Sequence, residues 1–464
     1  MAARPFLREP VHRYDLISCH DCGTLHERRD VAPRAKARCV RCRSVLYRGV
    51  ADGAAALDRM AAITLGTLVV FLIAQFFPIV ALEVNGLHTS ATLAGAIAVL
   101  WNEQMQVVAT GVLLFTIVFP AIELAALLSV ILGLRAGRRV RGFHLLLRAV
   151  CQARRWGMTE VLMIGILITI VKMTSMAEVT VQAGLFGFGA LTLMLAVVMS
   201  FDPKLLWRYG DELAEKERAR ATGAPRLHAT HAMNYTALVG GRPLLACHAC
   251  GLVAADHGRR HQHCARCGRT LHHRRPDSVG RTWALLLGAA ILYVPANLLP
   301  VMYTKSLFGV SDDTIISGVV YFWTSGSPAL AVIIFIASIV VPVAKLGALM
   351  LLAYTAQRRS RWLPYQRTVL YRMVEFIGRW SMLDIFVITL TVALVRFSTL
   401  AVITAGPGAL AFGAVVVLTM LASLQFDPRL IWDRIDREAA AAHAAPPTEA
   451  AHAAVRAPHG EHNA

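Results

Sequence analysis

The chain carries two clusters of cysteines whose spacing is that of a metal site. Each cluster contains two Cys-x-x-Cys pairs, separated by sixteen residues in the first cluster and by thirteen in the second. The eight cysteines are Cys19, Cys22, Cys39, Cys42, Cys247, Cys250, Cys264 and Cys267. Two such turns bring four thiolates to one ion, an arrangement typical of a tetrahedral zinc ribbon. Because four cysteines leave no open position on the metal, we predict two structural zinc sites and no catalytic residue.

Other interpretations of these cysteines involve histidine ligands or redox chemistry. In the second cluster His248, His261 or His263 could replace a cysteine. Disulfides are disfavoured because the orientation predicted from the arginine-rich loops puts the cysteines in the reducing cytoplasm. A thioredoxin-like redox pair is disfavoured because it needs a single Cys-x-x-Cys in an α/β domain. The ninth cysteine, Cys151, lies in a basic loop and is interpreted as an incidental thiol.

Two ionisable residues of the second half, Lys345 and Asp384, lie within apolar segments. Charges inside a bilayer are costly, and both residues are therefore candidate functional groups. Lys345 follows Pro342 by about one helical turn, and Asp384 lies at an overlapping depth in the neighbouring segment. We predict that the two pair, with Ser381 one turn from Asp384 as a further polar contact. The alternative is a buried pair that only fixes helix packing.

Glu123 and Glu160 occupy the corresponding positions of the first half. Two acids cannot pair as ions, so either one is protonated or both face water or another charge. Lys172 and Arg396 lie at the outer ends of the third and seventh apolar segments. We expect their long side chains to extend to the outer membrane interface.

The composition places these residues in a membrane protein. Of the 464 residues, 56% are hydrophobic and only 16% are charged, and the mean hydropathy is +0.53. Eight apolar segments reach the length of about 20 residues that spans a bilayer. They lie near 60–82, 107–133, 156–173, 185–201, 283–303, 329–353, 380–397 and 409–426. No cleavable signal peptide is expected before them, because the first 50 residues are polar, basic and cysteine-bearing.

Basic residues in the short loops set the predicted orientation, because such residues are retained in the cytoplasm. The loops after the second and sixth segments are rich in arginine, whereas residues 83–106 and 397–408 contain neither Lys nor Arg. Both termini are therefore predicted to be cytoplasmic. The formal net charge of +18 lies where anionic lipid headgroups would meet it, so nucleic acid is not needed to explain it.

The second half of the chain repeats the first, and Pro120 matches Pro342 in this repeat. Four helices per repeat is an even number, so both halves have the same topology, unlike the inverted repeats of many transporters. We predict an all-α polytopic fold of two four-helix modules, each preceded by a ribbon. The predicted domains are ribbon 1 at 1–50, module 1 at 58–210, a linker at 211–240, ribbon 2 at 241–275, module 2 at 281–436 and a disordered tail at 437–464.

A Phe-Asp-Pro tripeptide ends each predicted module, at 201–203 and at 426–428. Each tripeptide is followed by a tryptophan, Trp207 or Trp432. We interpret this pattern as a helix stop followed by an aromatic anchor at the membrane interface.

Several motifs resemble the PqiA family, the paraquat-inducible protein A family. They are Gly378-Arg379-Trp380-Ser381-Met382-Leu383-Asp384, Asn297-Leu298-Leu299-Pro300, Pro342 with Lys345-Leu346, and Phe426-Asp427-Pro428-Arg429-Leu430. The likeness covers nearly the whole chain, including the ribbons, and its motifs are tighter in the second half than in the first.

The resemblance implies both a fold and a function. Members of the family, which include LetA-type proteins, look like two tandem tetraspanin-like modules in the bacterial inner membrane with cytoplasmic zinc ribbons. They act with an MCE-domain partner that forms a periplasmic tunnel, and the implied activity is phospholipid traffic between inner and outer membranes. The polar network that the resemblance implies here is Lys345, Asp384, Ser381 and Arg379, with Glu123 and Glu160 as first-half counterparts.

Two other classes of function compete with a non-enzymatic lipid-transport subunit. An autonomous secondary transporter or efflux protein for small toxic compounds is motivated by Glu123, Glu160 and Asp384. A membrane thiol oxidoreductase is motivated by the four Cys-x-x-Cys pairs. The sequence contains no P-loop motif, so any ATP dependence would come from another subunit.

Overall fold

A computed structural model of the chain describes residues 16–29, 31–32, 35–49, 53–84, 87–102, 106–173, 178–222, 244–256, 262–306, 309–326, 328–381, 383, 386–387, 396–397 and 401–444. Several predicted features lie wholly or largely outside these residues. They are Asp384, His261, most of the apolar segment at 380–397, the linker predicted at 211–240 from residue 223 on, and the tail predicted at 437–464 after residue 444.

Within the described residues, five helices are long and apolar enough to cross a membrane. They are Ala55–Phe76, Gln106–Arg135, Ser278–Leu298, Ala331–Gln357 and Pro407–Gln425. A sixth is counted if Ala183–Met199 and Pro203–Ala214, which are bent by 53°, form one span. The third predicted segment is a helix of only 15 residues, Thr159–Met173. The fold is therefore helix-rich and multi-pass, and the prediction of four spans in each half stays a prediction.

The described part of the first half contains more helices than the four predicted spans. These helices are α1 Gly53–Phe76, α2 Leu93–Asn102, α3 Gln106–Leu113, α4 Phe119–Arg135, α5 Phe143–Trp156, α6 Thr159–Met173, α7 Ala183–Met199 and α8 Pro203–Thr222. The described helices of the second half repeat this pattern. They are α9 Ser278–Leu298, α10 Ile315–Thr324, α11 Pro328–Phe335, α12 Val341–Gln357, α13 Pro364–Trp380, α14 Pro407–Gln425 and α15 Asp433–Ala444.

A proline breaks the second long helix of each half at the same place. A π-helical turn, Leu114–Val118 or Ile336–Val340, comes directly before the turn that contains Pro120 or Pro342. Proline has no N–H to donate to the carbonyl four residues earlier, and its ring crowds that carbonyl. The helix therefore widens locally instead of continuing in register.

Small antiparallel sheets form in the loops that are predicted to face the periplasm. In the first half the strand order is β6-β5-β7, with β5 Val80–Val84, β6 Leu87–Ala91 and β7 Glu178–Val181. In the second half the order is β13-β12-β15-β14, with β12 Met302–Ser306, β13 Gly309–Asp313, β14 Arg396–Phe397 and β15 Ala401–Ala405. The register pairs Leu82 with Val179 and Lys305 with Val402. The expected all-α fold thus carries strands where its loops meet.

In each half, the first turn of the last long apolar helix contains a glycine that lies directly against a backbone carbonyl. A Cβ on Gly184 would collide with the carbonyl oxygen of Pro78, and one on Gly408 would lie 2.5 Å from the carbonyl oxygen of Leu299. Glycine therefore lets the last helix begin against the end of the first. In the first half α1 packs on α4 and α7, and in the second half α9 packs on α12 and α14.

Two helices extend beyond the predicted domain boundaries. Helix α8 continues to Thr222, where a linker was predicted from residue 211, and α15 continues to Ala444, within the predicted tail. Both extensions carry pairs of opposite charge four residues apart, Arg208 with Glu212 and Arg434 with Glu438. Such pairs stabilise an exposed helix, and the run of alanines in α15 favours one.

Candidate functional site

The first cysteine cluster is built from two hairpins. Strands β1 Leu16–Ser18 and β2 Leu25–Glu27 hold Cys19 and Cys22 between them, and β3 Lys36–Arg38 and β4 Val45–Arg48 hold Cys39 and Cys42. Each turn is closed by a hydrogen bond back to its first cysteine, from the amide of Gly23 in the first turn and of Arg43 in the second. Gly23 has a φ of 79°, which glycine adopts without strain.

The second cluster repeats this construction. Its strands are β8 Leu244–Ala246, β9 Val253–Ala255, β10 Gln262–His263 and β11 Thr270–Leu271. The amides of Gly251 and Gly268 donate to the carbonyls of Cys247 and Cys264. Both glycines have positive φ, 75° and 69°. In the second turn Gly268 stands where ribbon 1 has Arg43, which also has a positive φ.

The sulfur atoms of each cluster lie at the spacing of a tetrahedral metal site. Cys19 Sγ lies 3.4 Å from Cys42 Sγ, and Cys247 Sγ lies 3.5 Å from Cys267 Sγ. In both clusters the four sulfurs lie within 4.8 Å of one another, and all eight cysteines are buried. Four thiolates at about 2.3 Å from one zinc ion would be ~3.8 Å apart, so the geometry fits such an ion.

Hydroxyl groups support anionic sulfur in ribbon 1. Ser44 Oγ lies 3.0 Å from Cys19 Sγ, and Thr24 Oγ1 lies 3.1 Å from Cys22 Sγ. His26 Nε2 lies 3.2 Å from Cys39 Sγ, a neighbour that the Cys-x-x-Cys pattern does not reveal. Donors of this kind orient metal ligands and tune their basicity.

The histidines considered as alternative ligands in ribbon 2 have other contacts. His248 Nε2 lies 2.7 Å from Arg429 Nη2, and burial beside that guanidinium lowers the pKa of His248 to about 3. His263 Nδ1 lies 3.3 Å from the carbonyl oxygen of Gly268, and His261 lies outside the described residues. Cysteines therefore form both four-residue groups that the described part of the chain offers to a metal.

Glu123 is paired with a cation that the sequence did not single out. Glu123 is 2% exposed in α4, and Arg154 Nε in α5 donates to its Oε1 over 2.7 Å. The same guanidinium donates to the carbonyl oxygens of Phe201, over 2.7 Å, and of Val198, over 3.1 Å, at the end of α7. Of the alternatives left open for Glu123, contact with another charge is the one observed. Glu160 is half-buried in the first turn of α6.

Lys345 lies at the matching place in the second half. It is 2% exposed in α12, and its Nζ forms no hydrogen bond within the described residues. Gly378 of α13 lies beside it, since a Cβ on this glycine would be 3.3 Å from Nζ. Ser381 is also buried, and its Oγ has no hydrogen-bond partner among the residues described. Asp384 and the side chain of Arg379 lie outside the described residues, so the Lys345–Asp384 pair stays a prediction.

The repeat explains why the two halves differ here. The offset of 222 that relates Pro120 to Pro342 also relates Glu123 to Lys345, and the offset of 224 that relates Trp156 to Trp380 relates Arg154 to Gly378. The side chain of Arg154 lies beside Glu123 and pairs with it. At the equivalent position beside Lys345, Gly378 has no side chain to do so. Aligning the two halves residue by residue would have singled out Arg154, since its counterpart is a glycine.

The Phe-Asp-Pro tripeptides end helices as predicted, because α7 stops at Met199 and α14 stops at Gln425. In the second half Asp427 is 1% exposed and accepts hydrogen bonds from Arg429 Nε and Nη2 over 3.0 and 2.8 Å. Burial alone would raise the pKa of Asp427, but the hydrogen bonds from Arg429 hold it well below its ordinary value.

Trp207 and Trp432, the predicted interfacial anchors, are both buried within the chain. Trp207 is 1% exposed and stacks on His144 with ring centroids 5.4 Å apart, and Trp432 donates from Nε1 to Thr368 Oγ1 over 3.0 Å. The bend of 53° between α7 and α8 lets Trp207 pack against His144 of α5. The side chains of Lys172 and Arg396, the other predicted anchors, are not among those described.

Helices of spanning length and two buried four-cysteine clusters define a multi-pass membrane protein with two candidate metal-binding ribbons. The model of the family described as paraquat-inducible protein A, PqiA, matches residues 57–210 and 279–436. The chain belongs to the PqiA family, as its motifs had indicated.

Three relatives resemble the chain along nearly its whole length. It is 33% identical over 428 residues to the intermembrane transport protein PqiA of Escherichia coli (strain K12), which covers 92% of this chain and 97% of the relative. It is 31% identical over 426 residues to the lipophilic envelope-spanning tunnel protein A of the same strain, covering 92% and 93%. It is 28% identical over 432 residues to a probable intermembrane transport protein of Haemophilus influenzae, covering 92% and 97%. No solved structure matches the chain.

Proposed function

We propose that the chain is a non-enzymatic inner-membrane subunit of an MCE-type system that moves phospholipid between the inner and outer membranes. In this proposal it loads or receives lipid for a periplasmic tunnel formed by an MCE-domain partner. The observation that carries it is likeness along 92% of the chain to proteins named for intermembrane transport and for an envelope-spanning tunnel.

The proposed architecture has two tetraspanin-like modules of four helices at 58–210 and 281–436, with both termini in the cytoplasm. Five or six spans among the described residues support part of this count. Zinc is the proposed ion in both ribbons, because four thiolates suit it and the sulfur spacing fits. Its role would be structural, and no step of transport is assigned to it.

The proposed working site is the polar network of Lys345, Ser381, Arg379 and Asp384 in module 2. Its support is the burial of Lys345 and Ser381, whose polar atoms have no partner among the described residues. A buried ammonium is costly in a membrane, and residues that carry this cost commonly mark a site for a charge or a proton. In module 1 the corresponding Glu123 is already neutralised by Arg154, so we assign that module a supporting role.

The test is transfer of a fluorescent phospholipid from proteoliposomes to acceptor vesicles, with and without the MCE-domain protein of the same organism. The proposal expects transfer only when both proteins are present, and loss of transfer in Lys345→Ala. The matched control is Lys216→Ala, which removes an exposed lysine of α8. Ion or small-cation flux through the chain alone would instead support an autonomous transporter and would overturn the proposal.

A further inference from the structure

Neither ribbon packs chiefly on the half that follows it in sequence, although His248 of ribbon 2 also contacts Arg429 of the second half. Ile17, Leu46 and Tyr47 of ribbon 1 share a buried cluster with second-half residues. These are Leu352, Ala356, Tyr371, Phe426, Ile431 and Trp432. Ribbon 2 contributes Leu245, Leu252 and Leu271 to the large buried cluster, which contains residues of both halves and, at the cytoplasmic end of the first half, Phe143, Leu147, Leu206 and Trp207.

Ion pairs show the same crossing. Arg41, directly before the last cysteine of ribbon 1, bonds to Asp436 of α15 over 2.6 Å. Arg266, directly before the last cysteine of ribbon 2, bonds to Asp211 of α8 over 2.7 Å. One and the same sequence offset relates Arg41 to Arg266 and Asp211 to Asp436. The same ion pair therefore occurs twice, once between ribbon 1 and the last helix of the second half and once between ribbon 2 and the last helix of the first half.

A second set of contacts repeats in the same way. A Cβ on Gly23 of ribbon 1 would lie 3.6 Å from Arg429 Cδ, and one on Gly251 of ribbon 2 would lie 3.7 Å from Lys204 Cδ. Lys204 and Arg429 are equivalent residues of the repeat, since each follows the proline of a Phe-Asp-Pro tripeptide. A chance arrangement of one ribbon would not recur at the equivalent residues of the other.

A third pair of equivalent arginines completes the pattern. Arg372 of α13 donates to Asp21 Oδ2 over 2.6 Å and to the carbonyl oxygen of Cys42 over 2.9 Å, both in ribbon 1. Its counterpart in the first half is Arg148 of α5, because the offset that relates Trp156 to Trp380 also relates these two arginines. Arg148 Nη2 would be 3.3 Å from a Cβ on Gly268 of ribbon 2. Burial alone would raise the pKa of Asp21, but hydrogen bonds from His20 and Arg372 keep it below its ordinary value.

We propose that the zinc ribbons are exchanged between the halves, so that ribbon 1 is the cytoplasmic brace of module 2 and ribbon 2 is that of module 1. A small ribbon draws most of its folding free energy from its metal, so the docking face exists only when the metal is bound. The metal in each ribbon therefore stabilises the module that the ribbon does not directly precede in sequence. The two modules are held as one body even though a single segment of chain joins them.

The exchange places ribbon 1 at one end of the helix that lines the Lys345 site. On α13, Arg372 contacts the ribbon and Gly378, six residues on, lies against Lys345 Nζ. Six residues correspond to about 9 Å of helix. Ribbon 1, and not ribbon 2, is thus positioned to set the placement of α13 beside Lys345.

The direct test is photo-crosslinking in native membranes, with a photoreactive amino acid in place of Asp436 or Asp211 in the full chain. The exchange expects position 436 to capture peptides from residues 16–48 and position 211 to capture peptides from residues 244–271. Capture of the ribbon of the same half at either position would overturn it.

A second measurement asks whether the contact protects the metal site. Asp436→Arg should speed alkylation of the ribbon 1 cysteines about tenfold by easing local opening, and should leave the ribbon 2 cysteines unchanged. Asp211→Arg should do the reverse, so that each variant is the control for the other. Reversing both charges, in the double variant Arg41→Asp with Asp436→Arg, should restore protection of ribbon 1. Equal exposure of both ribbons in either single variant, or no change in either, would count against the coupling.

Discussion

Arg154 Nε lies 2.7 Å from Glu123 Oε1, and the residue equivalent to Arg154 in the second half is Gly378, against which Lys345 Nζ lies. The first half therefore contains a buried ion pair, Glu123 with Arg154, at the position where the second half contains Lys345 beside a glycine. Arg154 also bonds to two carbonyls at the end of α7, so it ties three helices of the first module together. Glu123 and Lys345 thus occupy equivalent positions of the repeat but carry opposite charges.

Arg154→Ala should destabilise the first module. The change leaves a buried carboxylate without its partner, which typically costs about 3 to 5 kcal/mol. Thermal unfolding in detergent should therefore begin at a lower temperature than in the wild-type protein. Arg138→Ala, which removes an exposed arginine of the neighbouring loop, is the control and should leave the transition unchanged.

Replacing the pair Glu123 and Arg154 with apolar residues of similar volume separates stability from function. If the pair only holds helices, Glu123→Leu with Arg154→Met should restore the unfolding temperature and keep activity. A stable but inactive double variant would show that the first module needs this charge pair for transport.

Each ribbon should bind its own zinc ion, so a change in one cysteine cluster should remove only the ion of that cluster. Cys19→Ser and Cys247→Ser should each lower zinc from about two ions per chain to about one, because three thiolates and a hydroxyl bind zinc poorly. The helices should still insert, since the apolar segments do not depend on the metal. Elemental analysis of purified protein provides the measurement, and Cys151→Ser, outside both clusters, should retain both ions. A zinc content that stays at two in the cluster variants would refute the ligand assignment.

The cysteine clusters could be found from sequence because their signal is local. Two residues between cysteines fix a turn, and the turn geometry hardly depends on the rest of the chain. The ends of several long helices lie within about four residues of the predicted ones, since an apolar run ends where polar or turn residues begin. The first and fifth segments, predicted at 60–82 and 283–303, are instead the helices Gly53–Phe76 and Ser278–Leu298. The breaks before Pro120 and Pro342 follow from the missing N–H of proline in the same local way.

The packing partners of individual side chains and of the ribbons could not be predicted, because they depend on contacts between residues far apart in sequence. Trp207 was interpreted from its place after a helix stop, yet the bend at Pro203 carries it into the interior. Arg154 was counted only as a positive charge of a cytoplasmic loop, yet it reaches Glu123 thirty-one residues away. The proposed exchange of the ribbons has no local signal, because each ribbon directly precedes the module that it does not brace.

The buried tryptophan of the second half offers a small and specific test. Trp432→Phe removes the hydrogen bond from Nε1 to Thr368 Oγ1 and leaves a buried hydroxyl without that donor, at a cost of about 1 to 3 kcal/mol. We expect a lower unfolding temperature and normal membrane insertion. Trp362→Phe is the matched control, because Trp362 is 56% exposed and should tolerate the change. An anchor at the membrane interface would instead lose insertion efficiency in Trp432→Phe.

The last prediction concerns the second module. Lys345→Ala and Asp384→Ala should each abolish phospholipid transfer, and the double variant should be no worse than either single variant if the two residues act as one unit. The motivation is the burial of Lys345 and the overlapping depth of Asp384 in the neighbouring segment. Membrane abundance and zinc content must be measured in the same samples, because a lone buried charge could also reduce folding.

Two mechanisms for this pair give different results. If Lys345 and Asp384 only hold helices together, abundance and transfer should fall in parallel, and well-packed apolar replacements should restore both. If the pair takes up and releases a proton or a charged headgroup during transport, the variants should stay abundant but inactive, and apolar replacement should not help. Wild-type transfer in well-expressed single variants would falsify the assignment of the working site. The site would then be sought in the outer segment around Ile315–Thr324, whose exposed Ile316, Val320 and Trp323 lie at helical spacing.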